Sequence, residues 1–203
     1  PQGVRYRLGR YTHDGEEIVF VSERGGEENL ERHSPEGLTI NSIVLDGAPL
    51  GRPLEVIPSP TQRMLAITNH KQELLLVNLE TRACKLVDHS EHDRITGCDW
   101  SPCGTWLTYA KHDTQSTSKI MLHDLSTSTT HAITSGEFVD SEPVFDPEGR
   151  YIYFVSYREF NPVYGNLFFE LSLNRGQKPC LITLREEIES PLISKPKPLE
   201  DKD

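Results

Sequence analysis

Long apolar runs are missing from this chain. The longest, such as Leu74-Leu75-Leu76-Val77 and Tyr151 to Val155, have four or five residues, against the roughly 20 that a membrane-spanning helix needs. No transmembrane helix is expected, and no membrane partner. Cysteine is scarce. Cys84, Cys98, Cys103 and Cys180 are four in number, too few and too irregular for a disulfide framework, and no pair has the two-residue gap of a zinc knuckle. Reduced thiols and a cytoplasmic location are the expectation. Positive charge is also short. With 21 Lys+Arg against 31 Asp+Glu the net charge is -10, which repels phosphate backbones, and no basic cluster interleaved with aromatics makes a local exception. Nucleic acid is not an expected partner. The N-terminal Pro1-Gln2-Gly3-Val4-Arg5 has no initiating Met, no basic region and no apolar stretch, so no secretory leader is read here and the chain is expected to begin inside a longer protein.

Helical periodicity is nearly absent; what is present is a repeat. Three segments begin with a Ser/Asp-Pro turn and run into a strand: Ser59-Pro60-Thr61-Gln62-Arg63 to Thr68, Ser101-Pro102-Cys103-Gly104-Thr105 to Ala110, and Asp146-Pro147-Glu148-Gly149-Arg150 to Ser156. Their spacing, about 42 to 45 residues, is that of propeller blades. A weaker copy starts at His13-Asp14-Gly15. Proline opens such a turn by restricting φ, and glycine closes it by accepting positive φ, so each anchor joins two antiparallel strands. The preceding strands are Leu54 to Pro58, Gly97 to Trp100 and Pro143 to Phe145, short and apolar, as suits the innermost strand of a blade. After each anchor come a second apolar run (Glu73 to Leu79, Lys119 to Leu125, Asn166 to Leu173) and a third (Lys85 to Val87, His131 to Thr134, Cys180 to Leu184).

The reading is an all-β chain of about four four-stranded blades, a partial β-propeller, over residues 1–185, with blades near 4–50, 51–92, 93–136 and 137–185. Glu27 to Arg32 is read as a strand between turns, although its residues also tolerate a helical turn. Residues 186–203, with Pro191, Pro196 and Pro198 interleaved with lysines, read as an extended linker leading to a further domain.

At this point particular residues resemble a known family. Gly51-Arg52-Pro53-Leu54-Glu55-Val56-Ile57-Pro58-Ser59-Pro60, continuing through Thr68-Asn69-His70-Lys71-Gln72-Glu73 to Val77, is similar to the second β-propeller of the tricorn protease family. Gly136 to Tyr151 resembles its final blade, and Arg158-Glu159-Phe160-Asn161-Pro162-Val163-Tyr164, which lies outside the repeat, resembles the exit toward the catalytic part. The resemblance implies a seven-bladed ring, of which this chain supplies about four blades, and a large homo-oligomer. It also implies peptide or polypeptide substrates and, downstream, a PDZ module and domains carrying a Ser nucleophile, a His base and an acidic orienter. It assigns no catalytic residue to this chain, and no metal or cofactor. The implied role is non-catalytic: gating or guiding peptides. The alternative is a free-standing propeller that binds other proteins; a third reading is the propeller cap of an α/β-hydrolase peptidase. Thr61-Gln62 and Cys103 depart from the family's Asp-Gly turn, so looser hairpins are expected there.

Several residues invite chemistry on paper. His89, His92 and Asp93 could hold a divalent metal, but lie in a polar inter-blade loop with no further ligand indicated. Ser101 with His112 or His123 and Asp99 could be written as a triad, but Ser101 opens a turn and no Gly-x-Ser-x-Gly elbow exists. Cys98 and Cys103 could pair; small apolar roles suit them better. Trp100, Trp106, Phe145, Tyr151, Tyr153 and Phe154 alternate along strands and are expected between blades. Thr114 to Ser118 and Ser126 to Thr130 read as hairpin loops. Glu16-Glu17, Glu27-Glu28 and Glu186-Glu187 read as solvated faces, with the further expectation that acids reaching a channel mouth would select basic peptides.

Overall fold

The computed structural model describes residues 3–34, 40–158, 162–164, 171–173 and 176–193. Among them no helix occurs, so none is long and apolar enough to cross a membrane. The repeated turns close as hairpins in the same way each time. The N–H of the first turn residue donates to the carbonyl five residues on: Thr12 to Glu17, Ser59 to Met64, Ser101 to Trp106 and Asp146 to Tyr151, all at 2.9 Å. The two turns expected to be looser are therefore as tight as the others. In the first of them, the Ser59 hydroxyl oxygen accepts from the N–H groups of Thr61 (3.4 Å) and Gln62 (3.3 Å), supplying locally what the missing Asp-Gly would have supplied. In the second, Gly104 keeps φ at +70°, and a Cβ there would lie 2.0 Å from Thr61 Oγ1 of the neighbouring turn.

Blade one is β1 (Tyr6–Tyr11), β2 (Ile18–Ser22), β3 (Asn29–His33) and β4 (Ile40–Ile43), hydrogen-bonded in that order. Glu27 to Arg32 thus enters a strand, as its flanking turns predict. Next, β5 (Asp46–Gly47) joins the outer edge of blade two, running parallel to β9 (Ala83–His89). The rest of that blade is β8 (Glu73–Asn78), β7 (Met64–Asn69) and β6 (Pro53–Pro58). Blade three is β10 (Thr96–Trp100), β11 (Trp106–His112), β12 (Ser118–Asp124) and β13 (Thr129–Ala132). The last blade departs from expectation. β14 (Val139–Phe145) pairs with β15 (Tyr151–Tyr157), but β15 then pairs with β18 (Gln177–Thr183), while β16 (Pro162–Tyr164) and β17 (Leu171–Leu173) form a separate hairpin. Of the run expected from Asn166 to Leu173, residues 166–170 lie outside the described residues and 171–173 pair with β16; the next run lies beside β15, across seven consecutive residue pairs from Tyr151↔Thr183 to Tyr157↔Gln177.

Strand periodicity then assigns each side chain to a blade interface, because alternate residues point to opposite faces. On β7, Leu65 and Ile67 pack with Val19, Val21 and Leu30 of blade one, whereas Ala66 packs with Trp100, Leu107 and Tyr109 of blade three. On β8, Leu75 and Val77 join the first group, Leu74 and Leu76 the second. On β11 and β12 the split recurs: Tyr109 and Met121 face blade two, Ala110 and Ile120 face Phe154 of the last blade. Burying each large apolar side chain contributes about 1.5–3 kcal/mol, more than an exposed ion pair supplies, so these faces hold the blades together. Polar contacts set their register: the Trp100 indole N–H donates to Ile57 O (3.1 Å) and the Phe145 N–H to Asp99 Oδ2 (2.7 Å).

Candidate functional site

The first strand of each blade, β1, β6, β10 and β14, lies next to only one other strand of its own blade. All four carry an irregularity in register, between Arg7 and Arg10, Pro53 and Glu55, Thr96 and Asp99, and Ser141 and Val144. The residue four positions before each turn is Leu8, Glu55, Gly97 or Glu142, and three of these have positive φ: Leu8 (56°), Gly97 (63°) and Glu142 (52°). Such bulges twist a strand and re-aim its side chains. Gly97 is required where it stands, since a Cβ would lie 2.9 Å from Pro143 Cδ and 3.1 Å from Glu142 Cα. The inner strands of the last two blades touch there.

β1 carries Arg7 and Arg10, whereas β6, β10 and β14 carry the carboxyls of Glu55, Asp99, Asp140 and Glu142. Burial raises the pKa of Glu55, and the charge of Glu142 raises it further, against smaller opposing effects from Thr68 and Arg94. Burial also raises Asp99, partly offset by the N–H groups of Phe145 and Trp100 that it accepts. The Cys98 thiol is pushed far up by burial and then by Glu55 and Asp99, so it stays protonated and is no nucleophile. Burial thus disfavours the charged form of both carboxyls, and at Glu55 the neighbouring Glu142 charge adds to the effect.

The residues that invited catalysis do not meet. Ser101 Oγ accepts the Trp106 N–H (3.0 Å) and touches Cys103 Sγ (3.3 Å). His112, at the far end of β11, has Nε2 4.0 Å from Asp93 Oδ2. His123 is buried, which lowers its pKa, and its Nδ1 is bonded to Thr130 Oγ1 (2.8 Å). Asp99 is held by Phe145. His89 and His92 stay near Asp93 in sequence, yet no three metal-ligating side chains converge among the described residues. All four cysteines are free: Cys98 packs against the interface of blades two and three, and Cys103 is exposed, its pKa lowered by the hydroxyls of Ser101 and Thr105.

Trp100, Phe145, Tyr151 and Phe154 are buried as expected, but Tyr153 is 41% exposed. The Ser/Thr loops bond within themselves, Thr114 to Thr117 (2.8 Å) and Thr127 to Asp124 (2.9 Å). Of the acidic pairs, Glu16, Glu27, Glu186 and Glu187 are exposed as expected, whereas Glu17 and Glu28 are half-buried and paired. Glu17 is paired with Arg63 and Arg32, and Glu28 with Arg7 and Arg52. One network was not foreseen at all: Asp88 Oδ2 accepts the Tyr109 hydroxyl (2.7 Å) and Oδ1 accepts Lys111 Nζ (2.7 Å), joining blades two and three. The available signal was a carboxylate at the end of an alternating strand, beside the histidines that drew attention instead.

With this geometry in hand, the comparisons with known proteins are specific. The family described as the tricorn protease second beta propeller domain matches residues 1–203. A tricorn-like protease C-terminal subunit of Sulfurisphaera tokodaii is 34% identical over 183 residues, covering 90% of this chain and 20% of that protein. Tricorn protease homolog 1 of Streptomyces coelicolor is 32% identical over 193 residues, covering 93% of this chain and 18% of the relative. Among solved structures, that of the tricorn protease superposes with a TM-score of 0.80 at 20% identity over 94% of this chain and 19% of that one. A TolB from Agrobacterium tumefaciens gives 0.56 at 23% identity, over 76% of this chain and 55% of its own. This chain thus spans about a fifth of the tricorn relatives it matches, and its blades, turns and inner strands place it in the tricorn protease family, within the second β-propeller.

Proposed function

We propose that these blades are the non-catalytic wall of a passage that guides extended peptides to a peptidase domain elsewhere in the same polypeptide. The observation that carries this reading is the inner-strand row at one repeat position, Leu8, Glu55, Gly97 and Glu142, where register irregularities recur and where the charge of Glu142 acts on Glu55. A ring built on such strands admits an unfolded chain and rejects a folded one. The parent is a cytoplasmic serine peptidase assembled from several copies, with hydrolysis supplied by domains other than this one.

The test is made on the full-length protease. Glu55→Trp and Glu142→Trp narrow the passage, so kcat/KM for a peptide of about ten residues falls several-fold while hydrolysis of a two-residue chromogenic amide is unchanged. Equal effects on both substrates, or none, would contradict the reading. So would turnover by the isolated 203-residue chain.

A further inference from the structure

Between the outer strands of blades two and three lies a cleft of about 410 Å³, within the range of small-ligand sites. It is framed by the β8–β9 and β12–β13 hairpins, and no residue of the inner strands β6 and β10 lines it, so it is independent of the peptide passage. Its apolar side is made by Met64, Leu76, Ala83 and Leu125. Leu76 is buried, and Met64 and Leu125 are half-buried. The charge is of one sign: Lys85 lines the cleft and no Asp or Glu does, in a chain that carries 31 acids against 21 bases.

Two polar groups stand where packing alone would not place them. His123 holds the repeat position of Val77 and Ile182, since the cross-strand pairs are Leu107↔His123, Leu65↔Val77 and Ile152↔Ile182. Val77 and Ile182 pack against the preceding blade, whereas His123, also buried, lines the cleft. Burial first, and then the charge of Lys85, lower its pKa against smaller opposing effects of Asp124 and Asp88. Its ring is therefore neutral at pH 7, and Nδ1 is bonded to Thr130 Oγ1 (2.8 Å). Lys85 reaches across the blade boundary, its Nζ donating to Ser128 Oγ at 2.9 Å. An ammonium carries three donors, of which Ser128 takes one, and the Ser128 hydroxyl keeps its own hydrogen to give. The carboxylate of Asp124 is engaged instead by the Ser126 N–H (2.8 Å) and by the hydroxyls of Ser126 (2.6 Å) and Thr127 (2.9 Å).

We propose that this cleft binds a small molecule carrying one carboxylate on an apolar body. Lys85 and Ser128 meet the carboxylate, a charge-assisted contact made beside an apolar floor where little water competes, and the body lies on Met64, Leu76 and Leu125. The sign of the charge follows from a lysine with donors to spare and a lining without acids. The apolar body follows from the floor. Two sources share this chemistry, a free aliphatic acid and the C-terminal residue of a short peptide.

Isothermal titration of the native full-length protease with octanoate and with N-acetyl-leucine tests this, with octanol as the uncharged counterpart. At least one of the acids should bind with a Kd below about 1 mM, and octanol about tenfold more weakly than octanoate. Lys85→Gln should weaken the acids about tenfold and leave octanol unchanged, whereas Lys85→Arg, which keeps the charge, should bind as the parent does. Ala83→Trp, at an exposed position of the cleft, should abolish binding of both acids by filling it. Tighter binding of octanoate would assign the site to free acids, and tighter binding of N-acetyl-leucine to peptide C-termini. Saturation by neither acid at about 10 mM, octanol bound as well as octanoate, or an acid affinity that Lys85→Gln or Ala83→Trp leaves unchanged would each overturn the proposal.

Discussion

Arg63, in the turn between β6 and β7, reaches across a blade boundary and sets its guanidinium 3.1 Å from Asp14 Oδ2, in the turn between β1 and β2. The same guanidinium takes Glu17 and, at 3.4 Å, Glu16. One cation thus gathers three acids that would otherwise repel one another at the foot of blade one. Arg63→Ala should lower the melting temperature, and the loss should shrink in 1 M salt because part of each pair is exposed to solvent. Equal losses at low and high salt would mean that the arginine acts through its packing instead.

Glu55 should make stability depend on pH. Its folded-state pKa is raised, by burial first and then by Glu142, so the folded chain binds the proton more tightly than the unfolded one. Its contribution to stability is complete below the ordinary glutamate range and is lost as pH rises through the raised value. Glu55→Gln should therefore match the parent at pH 4 and become the more stable of the two by pH 7. Melting curves across that range decide it, and a Gln variant that is less stable at neutral pH would refute the assignment.

Tyr109 is fully buried and donates to Asp88, which shares its other oxygen with Lys111. Tyr109→Phe leaves the ring packed and removes one hydrogen bond to a charged acceptor, a loss of about 1.5–3 kcal/mol. Leu75→Ala, at a side chain 0% exposed between blades one and two, should cost about 2–5 kcal/mol. Leu86→Ala, 45% exposed, should change stability by no more than about 0.5 kcal/mol. Urea titrations of the three variants give the ranking directly.

Cysteine reactivity should follow the site electrostatics. Cys103 is exposed, with a pKa lowered by neighbouring hydroxyls, whereas burial pushes Cys84 up to about 11 and Cys98 further. Since the thiolate is the nucleophile, iodoacetamide at pH 7.5 should modify Cys103 first in the native protein, with Cys84 and Cys98 modified only after unfolding. Peptide mass spectrometry identifies the order.

Of the candidate site, Glu55 and Asp99 fall in the inner strands read from the sequence and Glu142 just before one, but nothing there makes them neighbours. Their joint effect depends on bulges that bring strands from different blades together at Gly97 and Glu142, and no local pattern specifies that approach. The Asp88 network was hidden for the same reason: its partners lie 21 and 23 residues away. Strand register, which no local pattern shows, places Glu31 at the position held by Leu75, Met121 and Cys180 in the other blades.

The amino-acid sequence by itself determined the turns, the alternation of side chains, the blade spacing and the family, because proline, glycine and period-two patterning act over a few residues and recur at each repeat. Tertiary structure decided what depends on closure between distant segments. It chose β18 over the segment containing β17 as the partner of β15, carried Arg63 to the foot of another blade, and buried Glu31 with one oxygen unpartnered. Two apolar runs within reach of β15 compete for its edge, and the packed neighbour, blade against blade, distinguishes them.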